Sequence, residues 1–140
     1  MSDHLETIRK FGQCVGEKNW TEARKLVTPD FVDHNPEWGV STIDDIIRTS
    51  VDIVDKLATN VTMKAMFAEG DKAVLHLGFT GVHRKEAFGF AATNKRVEWD
   101  AVEIYRFSAD GRIAEVWHYS RILPLLEQLG LRGMETHRSL

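Results

Sequence analysis

The sequence predicts an α+β fold, with helices in its first third and antiparallel strands after them. Apolar residues recur every three or four positions up to about residue 58, which is the period of a helix with one apolar face. From about residue 60, apolar and polar residues alternate, which is the period of a half-buried strand. Helices followed by a run of strands are the order of an α+β protein. The length of 140 residues predicts a single domain over residues 1–140.

The N-terminal region is predicted to form three helices. The first ends at Gly16 and carries an apolar stripe formed by Leu5, Ile8, Phe11 and Val15. A second, short helix covers residues 20–27 and stops before Pro29, because the residue before a proline disfavours the helical conformation. Residues 31–36 are predicted to form an ordered loop. Thr42 is the predicted N-cap of a third helix, which continues to about Ala58.

Four strands are predicted after these helices, because the alternating pattern resumes after each turn-forming segment. They run from Asn60 to a turn at residues 69–71, from Ala73 to Val82, from Lys95 to Phe107 and from Arg112 to Tyr119. A turn at residues 108–111 joins the last two strands as a hairpin. A final short helix ends near Leu129, where Gly130 favours a helix stop.

The charge and hydropathy of the chain argue against two classes of partner. A net charge of -3, with basic residues spread along the chain, provides no positive stripe for a nucleic acid. No segment approaches the roughly 18 consecutive apolar residues of a membrane-spanning helix, and the first ten residues lack the pattern of a signal peptide. We therefore expect a cytoplasmic protein that binds neither nucleic acid nor membrane. Cys14, the single cysteine, has no partner for an internal disulfide.

Four segments of the chain resemble, in order, the SnoaL-like polyketide cyclases of the nuclear-transport-factor-like superfamily. They are residues 30–36 (DFVDHNP), residues 81–83 with 88–89, residues 105–107 with 110–117 (DGRIAEVW), and residues 125–130 (LLEQLG). The resemblance implies a cone-shaped barrel in which a curved, mostly antiparallel sheet wraps around the N-terminal helices. It also implies a pocket for an aromatic or polyketide-like molecule, no metal or organic cofactor, and a homodimer.

The sequence departs from this family at the position of the catalytic acid. The resemblance implies an acidic residue four positions after Trp117, which acts as acid and base in an intramolecular aldol closure. Arg121 occupies that position here. Arginine stays protonated, so it cannot transfer the proton, but it can stabilise an oxyanion or bind a carboxylate.

The strand alternation sorts the side chains of the last hairpin into two faces. One face is predicted to carry Glu98, Asp100, Val102, Ile104 and Arg106 with Ile113, Glu115, Trp117, Tyr119 and Arg121. The other is predicted to carry Trp99, Ala101, Glu103, Tyr105 and Phe107 with Ala114, Val116, His118 and Ser120. The resemblance places the first face toward the pocket and leaves the second for a dimer contact. A three-residue turn would instead bring His118 into the pocket, so its exclusion is provisional.

This orientation suggests roles for four candidate catalytic residues. Arg121 would stabilise negative charge, and the neighbouring Asp100 would be the base. His34 or Glu115 would relay a proton or orient the substrate. The alternatives are a structural ion pair at the mouth of the barrel and a structural pair between Glu115 and Arg106.

Core-type residues are expected to line the pocket of so small a domain. The candidate ligand-binding residues are Trp38, Met66, His83, Phe88, Trp117 and Tyr119. His34 could instead fix its loop, and His83 could be solvated or act as a cap. A metal site is not predicted, because no pair among His34, His83 and His118 has the close spacing of a metal motif. Ser120 has no nucleophile motif around it.

Three functions are compatible with these residues. The first is a cofactor-independent cyclase or isomerase acting on a small polyketide-like or other natural-product molecule. The second is ring opening by a carboxylate–arginine set, as in the epoxide hydrolases of the same superfamily. The third is a binding protein that has lost the catalytic acid and retained the pocket. The fold does not choose among them, so the choice depends on the site.

Overall fold

A computed structural model describes residues 2–35 and 39–132, apart from the side chain of Ser2. Within these residues the helices are α1 (Ser2–Gly16), α2 (Trp20–Lys25), α3 (Ile43–Leu57) and α4 (Ile122–Leu129). The strands are β1 (Val27–His34), β2 (Asn60–Glu69), β3 (Lys72–Val82), β4 (Arg96–Phe107) and β5 (Ile113–Ser120).

The strands form one five-stranded sheet in the order β1-β5-β4-β3-β2. All neighbouring pairs are antiparallel except β1 and β5, which are parallel. The helices pack against one face of this curled sheet, so the predicted α+β fold with a mostly antiparallel sheet is confirmed. The predicted bounds of the other elements agree with the observed ones to within a few residues.

The segment predicted to be a loop after the second helix is instead strand β1. Its proline, Pro29, lacks the N–H that a ladder needs, which is why the sequence argues against a strand. The strand tolerates it because β1 lies at the edge of the sheet, and its pairing with β5 is irregular between Val27 and Val32. Beyond that irregularity, Asp33 and His34 pair regularly with Val116 and Trp117.

The N-terminus of α3 agrees with the predicted cap. The Thr42 side chain accepts a hydrogen bond from the Asp45 amide at 3.2 Å, and the Asp45 carboxylate accepts one from the Thr42 amide at 3.0 Å. This reciprocal capping box satisfies two amides that the helix itself leaves unpaired. It fixes the start of the helix that follows β1.

The face of the sheet that the helices cover is called the inner face. On β4 this face carries Val97, Trp99, Ala101, Tyr105 and Phe107, all of them buried. Burial of one aromatic side chain removes about 150–250 Å² from water, which stabilises the fold by up to about 4–6 kcal/mol. The alternate residues of β4 form the outer face, and burying its charged side chains without partners would be costly.

In the part of the chain that the structure describes, no helix combines the length and apolar content needed to cross a membrane.

Candidate active site

The two faces of the β4–β5 hairpin are grouped as the sequence predicts, but their orientation is the reverse. Glu103 pairs with His118, and Arg106 pairs with Glu115, so these predicted partners share a face. Ile113, predicted on the face of Arg121, is an exception: a register shift pairs it with Phe107, and it is buried in the inner core. However, the set with Trp99 and Tyr105 is the one that packs against the helices. The prediction that the face of Arg121 lines the pocket is wrong, because the aromatic face gains more from burial than the charged face.

Arg121 and Asp100 form an ion pair on the outer face. The Arg121 Nη1 lies 3.5 Å from Asp100 Oδ1, and the arginine side chain is 71% exposed. The same carboxylate lies 2.8 Å from the Nε2 of His76. An exposed pair of this kind contributes about 0–1 kcal/mol. The contact agrees with the structural alternative, and solvent would screen any charge stabilisation by Arg121.

Two more of the predicted catalytic residues also lie on the outer face. Glu115 accepts a hydrogen bond from Arg106 Nε at 2.7 Å, so the predicted structural pair is confirmed. Glu115 also lies 2.7 Å from His34 Nε2, and the His34 ring stacks on Trp117 at 5.1 Å. The hydrogen bonds from His34 and then Arg106 lower the pKa of Glu115. This carboxylate is therefore held ionised as a structural acceptor.

His83, a predicted ligand contact, is fully buried at the end of β3. Its Nδ1 lies 3.1 Å from the hydroxyl of Thr93, and its Nε2 lies 3.2 Å from the carbonyl oxygen of Phe90. A carbonyl can only accept, so Nε2 donates and Nδ1 accepts. Both ring nitrogens therefore contact the loop between β3 and β4, and this side chain is engaged by the protein itself.

The other predicted ligand contacts are scattered. Met66 lies on the inner face of β2 and packs against the core between the sheet and the N-terminal helices. Phe88 is 44% exposed in the loop after β3, and Tyr119 is 60% exposed on the outer face of β5. Trp38 lies outside the described residues. These side chains do not form a common wall.

A different group of polar side chains meets on the inner face. We call it the inner cluster, and it consists of Asp33, Glu103, Tyr105, His118 and Ser120. The register explains the meeting: Asp33 and Tyr105 are both paired with Val116, while Glu103 is paired with His118. Ser120 follows two positions after His118 on β5. Three neighbouring strands therefore bring the five side chains together.

Hydrogen bonds fix the protonation pattern of this cluster. The two oxygens of Glu103 contact His118 Nδ1 at 2.8 Å and the Tyr105 hydroxyl at 3.0 Å. An ionised carboxylate only accepts, so both partners donate and His118 carries its proton on Nδ1. The Nε2 of a neutral His118 then presents a lone pair, to which the hydroxyl of Ser120 donates at 2.6 Å. His118 is thereby oriented as a base.

Asp33 supplies a second titrating group beside this histidine. It is 8% exposed, and within the described residues its Oδ1 has no hydrogen-bond partner. Burial raises the pKa of Asp33 from 3.8 to about 7, with a further increase from the charge of Glu103 and opposing effects of His118 and His34. Near neutral pH, Asp33 therefore populates both its acid and its base form, which suits general acid–base chemistry.

The raised pKa predicts how Asp33 changes stability with pH. Above about pH 4 the unfolded chain releases this proton, while the folded chain keeps it until about pH 7. The contribution of Asp33 to stability is therefore fully present at low pH and is lost as pH rises through this window. Asp33→Asn removes the titration. Between about pH 4.5 and pH 8, we expect wild type to lose about 2–4 kcal/mol more unfolding free energy than the variant.

Urea unfolding at both pH values measures this difference. Asp30→Asn, on the same strand but exposed, is the control and should follow wild type. Glu103, His118 and His34 lie near Asp33 in both folded proteins, so the comparison isolates the replacement of the Asp33 carboxyl. Equal slopes for wild type and Asp33→Asn would contradict the raised pKa.

The sequence contained a signal for the inner cluster that the prediction did not use. Along β4, the positions 97, 99, 101, 105 and 107 are apolar, and Glu103 alone interrupts this row. A lone carboxylate in an apolar row predicts a buried, hydrogen-bonded acid. Asp33 gave no such signal, because its neighbour in space, β5, follows it by some 80 residues.

Among residues 2–35 and 39–132, no group of three or more His, Cys, Asp and Glu side chains is arranged to hold a metal ion.

Known structures share this architecture. AclR of Streptomyces galilaeus, described as a candidate hydroxylase, is 24% identical over 93% of this chain and 97% of its own, with a TM-score of 0.79. IdmH of Streptomyces antibioticus, described as a candidate polyketide cyclase, is 22% identical over 91% and 99%, with a TM-score of 0.79. TsrD of Streptomyces laurentii is 21% identical over 93% and 96%, with a TM-score of 0.78. At this level of identity, the likeness concerns the fold alone.

The family can be assigned from the sequence itself. A search of curated proteins finds no relative. However, the family model described as SnoaL-like polyketide cyclase matches residues 6–129, a span that begins within α1 and ends with α4. The resemblance carried by the four segments is confirmed, and the chain belongs to the SnoaL-like polyketide cyclase family.

Proposed function

We propose that the protein is a cofactor-independent enzyme of the cyclase or isomerase type, which uses the inner cluster for acid–base chemistry on a small polyketide-like ketone. The observation that carries this proposal is the hydrogen bond between Glu103 and His118 on the inner face, beside the buried Asp33. Membership of the family supports the cyclase type. The proposal differs from the sequence-based hypothesis in its residues, since Arg121 and Asp100 take no part.

The chemistry follows from the protonation pattern. His118 Nε2 accepts a proton from the carbon next to a substrate carbonyl, and Glu103 stabilises the imidazolium that forms. Asp33, in its acid form, donates its proton to the carbonyl oxygen, which yields a neutral enol. The enol carbon then attacks a second carbonyl of the same molecule, and the new alkoxide takes the proton from His118. The carboxylate of Asp33 recovers its proton from the former enol oxygen.

The first step can be tested without the natural substrate. The probe is 2-tetralone, an aromatic bicyclic ketone, in deuterium oxide, with exchange of the protons next to its carbonyl followed by NMR. We expect wild type to accelerate exchange at least about tenfold over buffer, since a positioned base contributes about 10²–10⁴-fold. Arg121→Ala is expected to stay within about twofold of wild type, because its side chain is mostly exposed on the outer face.

Two other outcomes have clear meanings. Binding of the ketone without faster exchange would favour the binding-protein hypothesis and contradict the enzyme. A loss of exchange in Arg121→Ala would restore the carboxylate–arginine set, and with it the ring-opening alternative. The geometry favours neither outcome, because the only described contact between Arg121 and a carboxylate is the exposed one with Asp100.

A further inference from the structure

Ser120 is a member of the inner cluster whose oxygen takes no part as a reacting group in the proposed acid–base chemistry at carbon. Its hydroxyl lies 2.6 Å from Nε2 of His118, and Nδ1 of the same ring lies 2.8 Å from Glu103. A hydroxyl, an imidazole and a carboxylate are thus joined through the two opposite nitrogens of one ring. This is the arrangement that activates a serine nucleophile in unrelated folds, and it is recognised by geometry, not by sequence position.

Activation of a serine requires a carboxylate at Nδ1 of the histidine and the serine hydroxyl at Nε2, and the cluster has this order. The Glu103 carboxylate lies 2.8 Å from His118 Nδ1 and 3.0 Å from the Tyr105 hydroxyl, a position in which an ionised carboxylate holds the histidine proton on Nδ1. In a neutral ring, Nε2 then carries the lone pair that accepts the proton of Ser120. The side chains of Glu103 and His118 are each 15% exposed, which keeps this relay largely out of water and strengthens it.

We propose that Ser120 is a nucleophile and that the protein has a second activity, the hydrolysis of carboxylic esters. Ser120 lies at the end of β5, where the inner face meets the start of α4. The helix begins two residues later, and Arg121 at its N-cap gives its amides no side-chain cap. The N-terminus of this helix carries the positive end of its dipole, which would favour the negative charge of a tetrahedral intermediate on Ser120.

The reaction is balanced by the residues present and by water. Ser120 Oγ attacks the ester carbonyl carbon while its proton passes to Nε2 of His118. The carbon–oxygen bond to the alcohol breaks, and the departing alkoxide takes that proton. A water molecule then attacks the acyl-Ser120 carbonyl, gives one proton to His118 and releases the carboxylic acid, and His118 returns the proton to Ser120.

The test uses p-nitrophenyl butyrate for turnover and a fluorophosphonate for covalent capture. We expect wild type to hydrolyse the ester and to gain one phosphonyl group per chain, on the peptide that contains Ser120. Ser120→Ala should lose at least about 10²-fold in hydrolysis and should not be labelled. Ser50→Ala, a change within α3 to a strong helix former, is the control and should behave as wild type.

A second variant separates loss of the nucleophile from misfolding of Ser120→Ala. Ser120→Cys keeps a nucleophile at this position, so its thiol should react with iodoacetamide faster than that of Cys14. Adding His118→Gln to the Ser120→Cys protein should abolish this difference. Labelling at another residue, or unchanged hydrolysis by Ser120→Ala, would overturn the proposal. Proton exchange on 2-tetralone and labelling with hydrolysis at Ser120 are separate readouts on the wild-type protein, so this proposal and the proposed function can fail separately.

Discussion

Replacing His118 by glutamine is expected to remove most of the acceleration of proton exchange on 2-tetralone and to bring the rate close to that in buffer, because a positioned base is lost. The variant removes the imidazole nitrogen that acts as the base in the proposed reaction. The glutamine side chain is similar in size to histidine, so the packing of β5 is retained. The fold should survive, because His118 is partly buried and contributes hydrogen bonds rather than apolar core. NMR of the ketone signal measures the rate, and circular dichroism confirms the fold.

His76→Gln is the matched control for this prediction. His76 also contacts a carboxylate through a ring nitrogen, at 2.8 Å from Asp100, but it lies on the outer face. We expect this variant to exchange the ketone protons at nearly the wild-type rate. Equal losses in the two variants would show that histidine content, and not the inner cluster, determines the rate.

Gly81→Ala is expected to destabilise the protein by about 3 kcal/mol or more, which is beyond an ordinary overpacking cost. A Cβ at this position of β3 would lie 2.0 Å from the carbonyl oxygen of Leu57, at the end of α3. The obstacle is backbone, so a rotamer change cannot relieve it. Leu57 is fully buried, and moving the end of α3 would also disturb its packing in the buried cluster with Trp99 and Leu125.

Gly12→Ala is expected to change the free energy of unfolding in the opposite direction. Gly12 lies inside α1, and a Cβ there would meet no atom within 4 Å. Alanine should therefore stabilise the helix by about 0.5–1 kcal/mol. Urea unfolding of both variants measures the two free energies. A loss below about 1 kcal/mol in Gly81→Ala would mean that α3 does not approach β3 as closely as described.

The elements with strong periodicity could be predicted from the sequence, and the edge strand could not. The stripe of α1 and the alternation of β3, β4 and β5 each repeat several times, so a single exception does not hide the pattern. Strand β1 is short and contains Pro29, and its partner β5 follows it by some 80 residues. Its strand structure depends on that long-range pairing, which no local pattern contains.

The candidate site could be predicted in part. Alternation correctly grouped Glu103 with His118 and Asp100 with Arg121, because cross-strand partners share a face. The orientation was wrong because it rested on the resemblance at Trp117, although the apolar residues of β4 favoured the opposite face. The approach of Asp33 to His118 was not predictable, since it requires the parallel pairing of β1 with β5.

The central claim is that chemistry takes place on the inner face of the sheet. A crystal structure of the protein with 2-tetralone bound tests it most directly. We expect the ketone on the inner face, with its oxygen within hydrogen-bond distance of Asp33 and the carbon next to its carbonyl facing Nε2 of His118. A ketone bound instead on the outer face, against Arg121 and Asp100, would contradict the account.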